Sequence, residues 1–233
     1  MLKPRKKITR KELKHDPLMD TLYRLRHGWL EHQAIISKFA GGTLIVVVLA
    51  VLVIRWRATQ DDQAATAVGV AFVEFSQGNY NTVIAQLSPH VDEYVGLKSF
   101  GNGLYLLARS ELLVGDSLGA ERHYRQYLDD YGRDPLMACG ALAGLGVIAE
   151  GKGAFGEAAD QFRKASRRAH TAGFRKQYAI YAGRSFLLAG LPEDALNILR
   201  PLLDEQGLEF QMTNDVQALV ASAEAKIKQG GGA

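Results

Sequence analysis

Two patterns of apolar residues divide the chain. From Phe39 to Ile54 it reads FAGGTLIVVVLAVLVI, sixteen residues without a charge. Counted back through Ala34, Ile35, Ile36 and Ser37, with Lys38 snorkelling, the run reaches twenty-one residues. A helix needs ~20 to cross hydrocarbon. Strands rarely exceed about ten residues, so the valine-rich run is not a buried strand. Past residue 60 the continuous run gives way to apolar positions at helical spacing, with hardly any β-branched alternation. Residues 34–57 therefore read as one transmembrane helix, and residues 58–229 as an all-α body.

The flanks of the apolar run argue that it stays in place. A secretory leader ends in a small-residue cleavage site, whereas Arg55-Trp56-Arg57 follow here. Those residues suit the interfacial end of an uncleaved anchor. Upstream, Asp16-Pro17 marks a helix start. Leu18, Leu22, Leu25, Trp29 and Ile36 then fall on one stripe, with Arg24, Arg26 and Glu31 away from it. This predicts an amphipathic helix within an N-terminal arm, residues 1–33.

The body repeats itself. GNYNTV (78–83), GDSLGA (115–120), GAFGEA (153–158) and GLPEDA (190–195) align, and their leading glycines are 37, 38 and 37 residues apart. Twelve residues before the last residue of each segment lies a small residue, namely Ala71, Ala108, Gly146 and Gly183. Four residues after it lies a large one, namely Leu87, Tyr124, Phe162 and Leu199. Pro89 and Pro201 also share a position, each ahead of an apolar residue and Asp-Glu. Each unit reads as helix, tight turn, helix. Glycine stands where the first helix must stop, because it takes positive φ without strain. The small residues admit a close neighbour, and the large ones fill the space between helices. A single hairpin cannot bury its own apolar face, so the units must stack. Residues 210–228 carry Val216, Leu219, Val220, Ala223 and Ile227 on one side, which predicts a helix capping the stack. Residues 230–233, a glycine-rich end, read as a flexible tail.

This pattern resembles the tetratricopeptide repeat (TPR) over residues 62–206. The third unit matches best, with Leu142, Leu145, Gly146, Ala149, Ala158, Phe162 and Ala165 at the motif's spacings. Val83 and His90 stand where the motif has Ala, and Glu74 and Glu111 where it has an aromatic residue. The closing Pro is missing from every unit, and the period exceeds the usual ~34 residues. The resemblance implies an α-solenoid of about four hairpins whose first helices line a groove for a peptide or partner helix. By register with the motif, its groove-facing residues would be Phe72, Phe75, Tyr105, Arg109, Glu150, Gln177, Arg184 and Leu187.

Charge gives the chain a direction. Residues 1–38 hold ten Lys/Arg against four Asp/Glu, whereas residues 58–233 hold sixteen against twenty-one. A basic arm before the span and only Arg55 and Arg57 close behind it place the N-terminus in the cytoplasm and the body on the other side, in a periplasm or its equivalent. The basic run 3–14 and the amphipathic helix fit an anionic inner leaflet. The acidic body lacks the basic face of a nucleic-acid binder.

Candidate chemistry changes the picture little. Gly146, then Gly151-Lys152, has the spacing of a phosphate-binding loop, but Gly153 stands where a hydroxyl must hold Mg²⁺. The stretch reads instead as the end of a repeat helix with a solvated Lys152. The six histidines show no metal-ligand spacing, and Cys139, the single cysteine, can form no intrachain disulfide. The expectation is a non-enzyme without cofactor, metal or small-molecule substrate, whose partners are proteins and lipid. Basic arm, single anchor and extracytoplasmic TPR body together resemble, in architecture, the ancillary subunit of the Sec translocon, which links the channel to periplasmic chaperones. An inner-membrane adaptor or scaffold for protein biogenesis or envelope assembly is the function this implies. A permanent structural subunit of a larger membrane complex is the alternative.

Overall fold

A computed structural model describes residues 17–205 and 210–230 and, within them, ten α-helices and no strand. Contacts divide the chain into two units, Met1–Arg57 and Ala58–Ala233. The described part of the first unit is helical and belongs to α1 (Pro17–Ser76), which opens on the expected proline. Asp16, the basic run 3–14, and the side chains of Leu18, Leu25, Trp29 and Ile36 lie outside the described residues. Among those described, Gly41–Ser76 is the one segment long and apolar enough to cross a membrane. The most apolar stretch of that segment has no protein cover. A helix apolar all round and packed on nothing is one that lipid would solvate.

The second unit begins within the last turns of α1 and continues through α2 (Tyr80–Leu87), a 3₁₀ turn at Ser88–His90, and α3 (Val91–Tyr94). Then come α4 (Phe100–Val114) with α5 (Ser117–Asp130), and α6 (Pro135–Gly151) with α7 (Phe155–Arg168). α8 (Ala172–Leu188) pairs with α9 (Pro192–Asp204), and α10 (Phe210–Gly230) closes the series. Among the described residues from α2 to α10, substantial packing joins only helices one or two apart, while the end of α1 packs on α4, where a Cβ on Gly103 would meet Val68 at 2.5 Å.

The four turn glycines explain why the helices pair. Gly78, Gly115, Gly153 and Gly190 all have positive φ, between 73° and 91°. In every turn the glycine N–H donates to the carbonyl three residues back, and the next N–H to the carbonyl five before itself. Asp116 to Glu111, at 2.8 Å, and Ala154 to Ala149, at 2.9 Å, are two of the latter. This is the Schellman closure, which satisfies the orphan carbonyls of the first helix while reversing the chain. Asp116 adds an N-cap to α5 by accepting from the Gly119 N–H at 3.0 Å.

The small and large positions meet as the spacing requires. A Cβ built on Gly146 would stand 2.8 Å from the Phe162 ring, and one on Gly183 would stand 2.5 Å from Leu199. Ala71, Ala108, Leu87, Tyr124, Phe162 and Leu199 are all buried. Burying a side chain of this size stabilises the fold by about 1.5–3 kcal/mol. The large residue also reaches the next hairpin, since a Cβ on Gly144 of α6 would meet Tyr124 of α5 at 2.4 Å. On α10, Val216, Val220 and Ala223 are buried and Leu219 and Ile227 partly so, against α9 and α8. The predicted capping helix is therefore a packed helix.

Polar ties reinforce the stacking. Glu205 takes a two-pronged bond from Arg175, at 2.8 Å on each arm. Glu121 of α5 bonds Arg125 and also Lys152 at the end of α6. These bonds hold both carboxyls below the usual carboxylate range. Lys152, expected to be solvated, is half exposed and ion-paired; no strand precedes it among the described residues. The glutamates at aromatic motif positions also find partners. Glu74 accepts from Asn79 at 2.8 Å, and the buried Glu111 lies 2.7 Å from the Nδ1 of His123 on α5.

A tyrosine-lined groove as the candidate site

The first helix of each pair contributes to one face. Six residues before the turn glycines stand Phe72, Arg109, Val147 and Arg184. This single register position can be followed across the whole array. Phe72 is 64% exposed, and Val147 on α6 is 46% exposed. Two depressions lie along this face. One, of about 540 Å³, is walled by Phe72, Phe75, Leu106 and Ser99. The other, of about 520 Å³, is walled by Leu113, Leu136, Val147, Phe174 and Tyr178, with Tyr124. Tyr105, Arg109 and Met137 line both.

Four of the expected site residues, Phe72, Phe75, Tyr105 and Arg109, thus come together. Phe72 rims the first depression, while Tyr105 and Arg109 stand where the two adjoin. The other four, Glu150, Gln177, Arg184 and Leu187, do not line either depression. Glu150, Gln177 and Arg184 form a polar cluster between α6 and α8. Arg184 reaches both Glu150 carboxylate oxygens at 3.3 Å, the Ser185 hydroxyl donates to Glu150 at 2.7 Å, and Gln177 donates to the Tyr181 hydroxyl at 2.8 Å. Phe75 is half-buried, and Leu187, read as groove-facing, is buried in the core formed with α9 and α10. An α-helix that packs on both a partner and a neighbouring hairpin has a wide buried arc, and Leu187 falls within it.

Met137, Leu136, Val147, Phe174 and Tyr178 are groove residues that motif register alone misses. Val147 was legible from its alignment with Arg109 and Arg184. Phe174 and Tyr178 were legible as an i, i+4 aromatic pair, and their rings stack with centroids 6.0 Å apart.

The electrostatics are simple. Burial pushes the Tyr105 and Tyr124 hydroxyls up, with Arg109 opposing at both, and burial raises Tyr178 to about 12. Burial also raises the Cys139 thiol. These groups stay neutral at physiological pH and offer ring faces and O–H donors. Arg109 is the one charged residue among the described lining of either depression. Its guanidinium sits 5.4 Å from the centre of the Phe75 ring, an attractive cation–π distance. The arrangement can hold an apolar ligand and orient it by hydrogen bonds and one positive charge.

No protein-family model matches the chain, and comparison with curated protein sequences finds no match.

Proposed function

We propose that the protein is a membrane-tethered adaptor whose TPR-like body binds partner proteins in the tyrosine-lined groove, on the extracytoplasmic side. The observation that carries this reading is the groove itself. Phe72, Leu113, Leu136, Val147 and Phe174 are large apolar side chains left exposed along one face of the first helices. Contiguous exposed apolar surface with a polar rim marks a recognition site, because leaving it in water costs stability. Apolar depressions lined by helices suit a helix or an extended segment. The segment Gly41–Ser76 supplies an anchor, and the ten basic residues ahead of it supply the orientation. TPR-type repeats and this architecture point towards protein translocation or envelope assembly as the setting.

Photo-crosslinking tests the reading. A benzophenone side chain is placed at Phe72, at Val147, or at Leu118, which is exposed on α5 and lines neither depression. After illumination of intact membranes, the two groove positions should capture the same small set of proteins, and Leu118 should not. Capture at Leu118 alone, with stoichiometric copurification through salt washes, would show a permanent subunit and sink the adaptor reading.

A further inference from the structure

The register row Phe72, Arg109, Val147, Arg184 is chemically uneven. Its two arginines occupy equivalent positions, yet they differ in what they face. Arg184 is already neutralised by Glu150 and lies over the Tyr181 ring at 5.3 Å. Arg109 has an aromatic ring and a tyrosine beside it, and no carboxylate pairs with it among the described residues. It stands where two apolar depressions adjoin, with Phe72 in one and Val147 in the other.

We propose that the groove selects a protein segment carrying a carboxylate side chain between two apolar side chains, the carboxylate meeting Arg109 and the apolar groups filling the two depressions. The proposal rests on the groove being a docking site. It follows from complementarity: a guanidinium beside a tyrosine but unpaired with any carboxylate gains charge-assisted hydrogen bonds from one. Flanked by low-dielectric walls, that bond is stronger than it would be in open water. Apolar contact supplies most of the affinity, and Arg109 supplies the choice between segments, because binding a segment without the acid leaves the charge desolvated and unpaired. The chain's own basic arm is excluded by like charge. A nucleic acid would need several cations along its phosphates, and the groove has one. A fatty acid carries its charge at one end, whereas here the cation lies between two apolar sites.

The test uses the full chain in lipid nanodiscs and fluorescent peptides bearing Glu between two leucines, with the spacing varied. Matched peptides have Gln or Lys in place of Glu. At the best spacing the Glu peptide should bind about tenfold more tightly than the Gln peptide, and the Lys peptide more weakly still. Arg109→Gln should abolish that preference. Arg109→Glu should reverse it in favour of Lys. Arg184→Gln, at the equivalent position, should leave the preference intact, and circular dichroism checks that each variant is folded. Equal binding of Glu and Gln peptides overturns the proposal, as does a preference that survives Arg109→Gln, or binding by none of the peptides. Displacement of the Glu peptide by oleate at matched concentration, or self-association of the chain that Phe72→Asp disrupts, overturns it in favour of a lipid or a second copy. Crosslinks at Phe72 and Val147 without a charge preference would leave the adaptor reading standing and this one refuted. Absence of those crosslinks removes the docking site itself.

Discussion

Glycine has two separate jobs in this body, and substitution separates them. At Gly183 an added Cβ would fall 2.5 Å from Leu199, which is fully buried and held on its other sides. Overpacking of this kind costs about 1–3 kcal/mol. Alanine's better helix propensity returns at most about 1 kcal/mol, so the clash wins. Gly69 lies inside α1 with nothing within 4 Å of its added Cβ, and there only the propensity operates. Gly183→Ala should therefore lower the thermal unfolding midpoint of the detergent-solubilised chain, and Gly69→Ala should raise it slightly. A Gly183→Ala midpoint at or above wild type would contradict the packing. Much of this was readable in advance. The small positions announce themselves by recurring twelve residues before the unit's closing residue, and the turn glycines by recurring every 37 or 38. The partner of Glu111 was not readable. Glu111 and His123 lie twelve residues apart on different helices, and their meeting at 2.7 Å depends on how the two helices are rotated. Local periodicity leaves that rotation open to within a residue or two. The same uncertainty put Leu187 on the groove and left Phe174 and Tyr178 off it.

At the scale of elements, identical sequence positions do not always give identical structure. Pro89 follows α2 and sits in a 3₁₀ turn, whereas Pro201 lies inside α9, three residues before its last residue. A proline so near a helix end disturbs little more than the final turn, so either outcome is open and packing decides. In the fourth hairpin, Leu199 and Leu202 on either side of Pro201 are both buried, which holds the helix in one piece. The burial also divides the body energetically. One cluster joins the end of α1 with α2, α4, α5 and one side of α6, and a second joins the end of α6 with α7 to α10 through Phe162, Leu199 and Val216. Val216→Asp should place an unpaired carboxylate in the second cluster alone, at a cost of several kcal/mol. Hydrogen exchange should then accelerate in α9 and α10, extend to α8, and leave α4 and α5 protected. Equal acceleration in α4 and α5 would mean that the hairpins unfold as a single cooperative unit. That helices exist here, and roughly where each ends, was plain from spacing; that their cores separate into clusters required the packing itself.

For the whole molecule, the distribution of charge is the feature that sets its placement. With ten basic residues ahead of the apolar run and two close behind, the orienting bias is large. Protease added to sealed spheroplasts should digest the helical body, while a tag at Met1 should survive until the membrane is opened. The opposite pattern of protection would place the groove in the cytoplasm and redirect the search for its partners. The sequential packing has one more consequence. Among the described residues from α2 to α10, substantial packing joins only helices one or two apart, and the end of α1 packs no further along than the hairpin after its own, so each hairpin meets its partners almost as soon as it is made. No early segment waits for a distant one to arrive, which is the condition for rapid folding. A chain delivered N-terminus first, from a ribosome or through a narrow pore, can therefore fold in step with its own emergence. At any moment only the newest pair's outer face stands bare, until α10 arrives to cover the last.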